Sequence, residues 1–127
     1  RFRALKLWFV IRSFGIDGLQ KTLRAHIACA EDFEAKVVSH PDFELILPRS
    51  LNVVVFRFKP AGEDNLETLN QLNEQLIKTL NASGKVFISH TKVNGVYCIR
   101  MVLGNTRLEQ RHVEEVWSWI RDAAKSL

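Results

Sequence analysis

Asn94-Gly95 sits between two segments rich in alternating apolar residues, 86–93 and 96–103. Both residue types tolerate the positive φ angles of a type I′ turn, so the pair predicts a tight antiparallel hairpin. That turn excludes an all-helical fold. Two more strands are predicted upstream, at 43–47 and 52–59, with Pro48-Arg49-Ser50 as the turn between them and Pro60-Ala61-Gly62 as the break after them. The remaining segments have helical spacing. Leu19, Leu23, Ile27, Ala30, Phe33 and Val37 mark one face of a helix that Asp17 N-caps and that ends near His40-Pro41. Leu66, Leu69, Leu72, Leu76 and Leu80 form a second stripe, closed by Ser83-Gly84. Val113, Val116, Trp117, Ile120, Ala124 and Leu127 form a third.

A further short helix is predicted over residues 3–14, stopped by Gly15. Leu5, Leu7, Trp8, Phe9, Val10 and Ile11 cover nearly its whole circumference. A helix apolar all round needs burial on more than one side. A domain of 127 residues has little left to cover it, so this segment points to a partner surface outside the chain. The full order is helix, helix, strand, strand, helix, strand, strand, helix. The expected class is α+β, an antiparallel four-stranded sheet covered by helices.

Composition narrows the function. With 46% hydrophobic and 25% charged residues, the chain has the profile of a globular protein rather than a disordered one. The longest apolar run, residues 7–11, lies between Lys6 and Arg12 and is far short of the roughly 18–20 residues of a membrane span. The net charge of +4 gathers at Arg1, Arg3, Lys6 and Arg12, but no nucleic-acid module accompanies it. Neither nucleic acid nor membrane is expected as a partner. Cys29 and Cys98 form no CxxC pair; two buried free thiols, and hence a reducing, cytoplasmic setting, are expected. The sole methionine is Met101 and the chain opens at Arg1, so a fragment or processed chain is expected. Asn81-Ala82-Ser83 matches the glycosylation pattern, which is short enough to arise by chance.

No catalytic constellation stands out. The glycines sit singly, so a P-loop or a dinucleotide-binding loop lacks support, and no GxSxG is present. His112 and Glu115 share a helix face at a spacing that metal sites use, but they have no further ligand nearby and read as a solvated pair. His90, between Ser89 and Thr91, reads as structural.

The opening Arg1-Phe2-Arg3-Ala4-Leu5-Lys6-Leu7-Trp8 closely resembles a segment of the group II pyridoxal-phosphate-dependent decarboxylases, in the aromatic-L-amino-acid (tyrosine, DOPA, tryptophan) branch. The likeness continues in order through Phe14-Gly15, Gly18-Leu19, Arg24-Ala25-His26, Phe33-Glu34, Pro41-Asp42-Phe43-Glu44 and Val54-Val55-Phe56-Arg57. It runs on through Asn73 and Leu76, the segment 84–91, Ile99-Arg100, His112-Val113 and Trp117.

The resemblance implies the C-terminal small domain of a fold-type I enzyme. Residues 1–15 would be a helix packed on an absent large domain, and residues 16–127 the small α+β domain itself. The implied cofactor is the parent's pyridoxal 5′-phosphate. Implied partners are the large pyridoxal-phosphate-binding domain, a second copy in a homodimer and a small amino acid substrate. The implied reaction is that of a carboxy-lyase, in which the cofactor ring takes up the electrons released as carbon dioxide leaves. The family's cofactor lysine follows a histidine, and no His-Lys pair occurs here. Asp122-Ala123-Ala124 looks like the family's cofactor-aspartate context but falls on the terminal amphipathic helix, so it reads as coincidence. No catalytic or cofactor-binding residue is therefore expected in this chain, which alone should be inert. Arg1 and Arg3 are the candidates for residues near the parent's active site. The substrate's identity, and amine-forming against aldehyde-forming chemistry, stay open. So does a different class, a stand-alone α+β interaction domain without cofactor.

Overall fold

The computed structural model describes residues 2–127. Helix α1 (Ala4–Ser39) is followed by β1 (Phe43–Ser50), β2 (Val53–Phe58), α2 (Leu66–Ala82), β3 (Ser89–Val93), β4 (Val96–Val102) and α3 (Gln110–Ala124). All neighbouring strands are antiparallel, in the order β1-β2-β4-β3. The class is the expected α+β, with the two N-terminal helical segments as two limbs of α1. They meet at Gly15, whose φ of 68° and ψ of 172° are not helical. Only glycine adopts that backbone readily. Asp17 is therefore not the N-cap. It lies inside the first turn after Gly15, where a carboxylate still faces the positive helix end favourably.

Alternation along the strands sets the core. Phe43 on β1, Val54, Phe56 and Phe58 on β2, and Tyr97 and Ile99 on β4 share one face. The three helices pack there through Phe33 and Val37, Leu76 and Leu80, and Val113, Trp117 and Ile120. Phe33 meets Phe56 and Trp117 edge-on at ring distances of 5.4 and 5.7 Å. The leucine stripe of α2 is thus largely core. The α1 stripe is so only at its C-terminal end. Ala30, Phe33 and Val37 are buried, but Leu23 is 61% exposed. The limb after Gly15 is about 36 Å long at 1.5 Å per residue, whereas the longest strand has eight residues and covers about 27 Å. The first turns of that limb overhang the sheet.

Two expected boundaries moved. Pro48-Arg49-Ser50 belongs to β1 rather than to a turn. The β1–β2 register shifts once between Leu45 and Leu47 and again between Leu47 and Ser50, and β1 is an edge strand, where proline's missing N–H costs no ladder bond. Arg49 ties this bulged end to α1 through Glu31 and Glu34 at 3.1 and 3.0 Å. The reversal falls instead at Leu51-Asn52, with Leu51 at a φ of 53°. The second shift is at β3, which starts at Ser89 rather than at residue 86. The hairpin itself is as predicted: Asn94 and Gly95 have φ angles of 49° and 84°, and Val93 pairs with Val96.

Asparagine side chains on α2 finish the sheet where strands part. The β2–β4 register ends at Phe56↔Ile99. Beyond it, Asn73, fully buried, accepts the Phe58 N–H and donates to the Phe58 carbonyl, both at 2.8 Å. One turn earlier, Asn70 accepts the Tyr97 N–H at 2.7 Å and donates to the Gly95 carbonyl at 3.0 Å. Asn73→Ala leaves two buried backbone groups unpaired, and each such group costs about 1–3 kcal/mol. The urea midpoint should fall by the equivalent of about 2–6 kcal/mol at unchanged slope. Asn70→Ala, on the exposed turn, should cost about half as much.

Candidate functional site

The sequence singled out the N-terminal limb, and the structure leaves it bare. Every residue from 2 to 14 is exposed. Trp8 is 54% and Phe9 55% exposed, and their rings meet edge-on at 5.1 Å. Arg12 lies over the Trp8 ring at 5.8 Å. Arg3 is the N-cap residue; its carbonyl accepts the N–H groups of Lys6 and Leu7, and its side chain makes no capping bond. Among the described residues it pairs with no carboxylate. Arg1 lies outside the described residues. The first turn carries no acidic residue, so the positive helix end meets only cations. An 11-residue helix with neither cap nor packing is marginal in water. Its stability has to come from whatever covers it.

The other candidates resolve into structural roles. His112 Nδ1 accepts the Glu109 N–H at 3.1 Å and so caps α3. No group of three possible metal ligands exists among the described residues. His90 stacks on Tyr97 at 4.8 Å. His26 is buried, with Nε2 at 3.0 Å from the Asn105 carbonyl. Asp122 is a surface partner of Lys125 and Ser118. Asn81 is engaged through both ends of its carboxamide: it accepts the Ile88 N–H at 2.8 Å and donates to the Ile88 carbonyl at 2.9 Å. That bond pulls residues 86–88 away from β4 and explains the late start of β3. It also occupies the nitrogen a glycan would need.

Both cysteines are free and buried. Burial raises both thiols above their ordinary range, with Asp32 adding to the effect at Cys29. They are the reverse of activated nucleophiles.

Where residues 86–88 leave the sheet, a groove of about 800 Å³ opens between the end of β4 and α3. Lys85, Arg100 and Arg107 line it with Phe87, Val102 and Trp119. It is not readable from the sequence, because its cations lie far apart along the chain and meet only through the hairpin and the loop before α3. Phe87, which would be buried if the strand continued inward, is 87% exposed at the rim of the groove.

The residues present do not form a site for pyridoxal phosphate. An imine-forming lysine is desolvated so that its amine can lose a proton. No described lysine is buried. Lys36, Lys59 and Lys78 are held above the ordinary lysine range by hydrogen bonds to Glu114, Asp64 and Glu74. No step of a reaction is assigned to this chain's side chains.

The class defined by this arrangement is an α+β domain with a helix-covered core and an exposed apolar limb. Comparison with known proteins makes it specific. Residues 1–59 match the family model for the pyridoxal-dependent decarboxylase conserved domain. The whole chain is 42% identical to a tryptophan decarboxylase of Camptotheca acuminata, and all of it is 39% identical to a tyrosine decarboxylase of Petroselinum crispum. It spans about a quarter of these relatives, 26% of each. It superposes on the crystal structure of Oryza sativa TDC with PLP and tryptamine at a TM-score of 0.90 and 34% identity, covering 99% of this chain and 26% of that one. Rhodiola rosea 4-hydroxyphenylacetaldehyde synthase gives 0.89 at 32%, covering 100% and 27%. Over its whole length the chain is thus similar to about a quarter of several pyridoxal-dependent aromatic amino acid decarboxylases.

Two outcomes check this site. In sedimentation velocity the 127-residue chain should associate as its concentration rises, and Trp8→Lys with Phe9→Lys should abolish this without lowering Tm. Cys98, fully buried, should alkylate at least about a hundredfold more slowly in the folded chain than in urea.

Proposed function

We propose that this chain is the C-terminal small domain of a larger fold-type I carboxy-lyase that uses pyridoxal 5′-phosphate to convert an aromatic L-amino acid into its amine and carbon dioxide. The observation that carries the reading is the end-to-end match of all 127 residues to about a quarter of tryptophan and tyrosine decarboxylases. The uncovered limb supports it physically. In this reading residues 1–15 dock on the large, cofactor-bearing domain, which supplies the lysine this chain lacks. Residues 16–127 hold that limb and form a wall beside the active site. In this reading Arg3, which pairs with no carboxylate among the described residues, and Arg1, two positions before it in sequence, are the candidates for residues near the substrate. When bound, the cofactor supplies the electron sink for loss of carbon dioxide. The small domain binds no reacting atom; it positions and excludes water.

The parent is proposed to be a cytoplasmic homodimer. The two free thiols suit a reducing compartment, and no described helix is long and apolar enough to cross a membrane. A stand-alone interaction domain would leave seven large apolar side chains of the limb uncovered: Leu5, Leu7, Trp8, Phe9, Val10, Ile11 and Phe14.

The test is to assay the full-length parent beside the 127-residue chain with tryptophan, tyrosine and dihydroxyphenylalanine. The parent should bind pyridoxal phosphate and release one carbon dioxide per amine formed. The short chain should do neither. Aldehyde and ammonia in place of the amine would overturn the simple decarboxylase assignment; a relative of similar identity, 37%, is a phenylacetaldehyde synthase. Stoichiometric cofactor binding by the short chain would overturn the domain assignment.

A further inference from the structure

The groove beside Val102 has three properties that together specify an occupant. The first is a free strand edge. The β3–β4 ladder ends at Ser89↔Arg100, yet β4 continues to Val102, which lies opposite Val53 on its other side. Backbone direction alternates along a strand. The N–H groups of Tyr97 and Leu103 turn away from β3, toward Asn70 and the Asn52 carbonyl. Those of Val96, Cys98, Arg100 and Val102 therefore face the β3 side, and at Val102 the strand that would meet them has been drawn off by Asn81. The second property is charge. Lys85, Arg100 and Arg107 face one carboxylate, Glu115, and among the described residues none of the three cations forms an ion pair. Arg100 donates only to the Ser89 hydroxyl, at 3.1 Å, and Lys85 lies over the Trp119 ring at 5.6 Å. The third is apolar wall: Phe87 and Val102 stand exposed on either side of the gap.

An unpaired strand edge recruits extended backbone. Unpaired guanidinium and ammonium groups beside it select carboxylates. We propose that the groove holds an extended, carboxylate-bearing segment of the parent polypeptide from outside residues 1–127, paired to the free end of β4 at Val102. This rests on the reading of the chain as part of a larger enzyme, since relatives are about four times its length. Tethering in one polypeptide gives such a segment a high effective concentration and lets a short pairing suffice. It also explains why residues 86–88 are diverted: they make room for a strand rather than completing β3.

The test uses the full-length parent and needs no activity. Hydrogen exchange at the Val102 amide should be at least about a hundredfold slower than its unprotected rate. Carbodiimide coupling should join Lys85 to an Asp or Glu outside residues 1–127, within one chain when isotopically heavy and light parents are mixed. Exchange within tenfold of the unprotected rate would overturn the proposal. So would a cross-link confined to residues 1–127, or one that joins heavy to light chains and so marks a second copy as occupant. If Val102 is protected and no cross-link forms, Arg100→Gln with Arg107→Gln decides: a tenfold or greater rise in exchange supports the pairing, and an unchanged rate overturns it. A parent that fails the decarboxylase assay but protects Val102 would sink the catalytic reading and leave this one standing.

Discussion

One face of a four-stranded sheet with strands of five to eight residues has room for a limited length of helix, and that limit shapes the molecule. The end of α1, with α2 and α3, fills the face through Phe33, Leu76 and Trp117. Nothing is left to receive the limb before Gly15, whose helix carries seven large exposed apolar side chains. Fully burying a side chain of this kind yields roughly 1.5–3 kcal/mol. The limb, about half exposed, therefore has on the order of 5–10 kcal/mol still to gain from a partner. This chain cannot supply that from its own surface. Gly15 is what allows the arrangement, since its backbone lets the limb leave the line of the core helix.

Carboxamides do the work of strands at three places. Asn70 and Asn73 fill the fork between β2 and β4, and Asn81 captures Ile88. Each supplies one donor and one acceptor, the same pair a neighbouring strand residue would offer. The first two close the sheet where it would otherwise expose buried backbone. The third opens it, and the groove at Val102 follows from that bond. Core and docking surface thus have one origin, the polar residues placed along the leucine stripe of α2.

Periodicity and turn chemistry carry most of this fold. The Asn94-Gly95 hairpin, the stripes of α2 and α3 and the break at Gly15 rest on short-range physics and are readable from residues a few positions apart. The errors have long-range causes. Pro48 reads as a turn until β1 is known to be an edge strand. Leu19 and Leu23 read as core until the helix proves longer than the sheet it covers. Residues 86–88 read as strand until Asn81 claims Ile88. The site was less legible than the fold. Apolarity all round residues 3–14 announces a missing partner, but the groove's cations converge only in three dimensions. Cofactor chemistry is not legible here beyond the likeness to relatives; among the described residues no lysine is buried.

The central claim is that the limb before Gly15 is an internal surface of a larger protein. Hydroxyl-radical footprinting of Trp8 and Phe9 tests it most directly, comparing the 127-residue chain with the full-length parent. Oxidation of both rings should drop at least about tenfold in the parent, with buried Trp117 unchanged as the internal reference. Equal oxidation of Trp8 and Phe9 in the two proteins would show that the limb faces solvent in the parent as well, and would contradict the account.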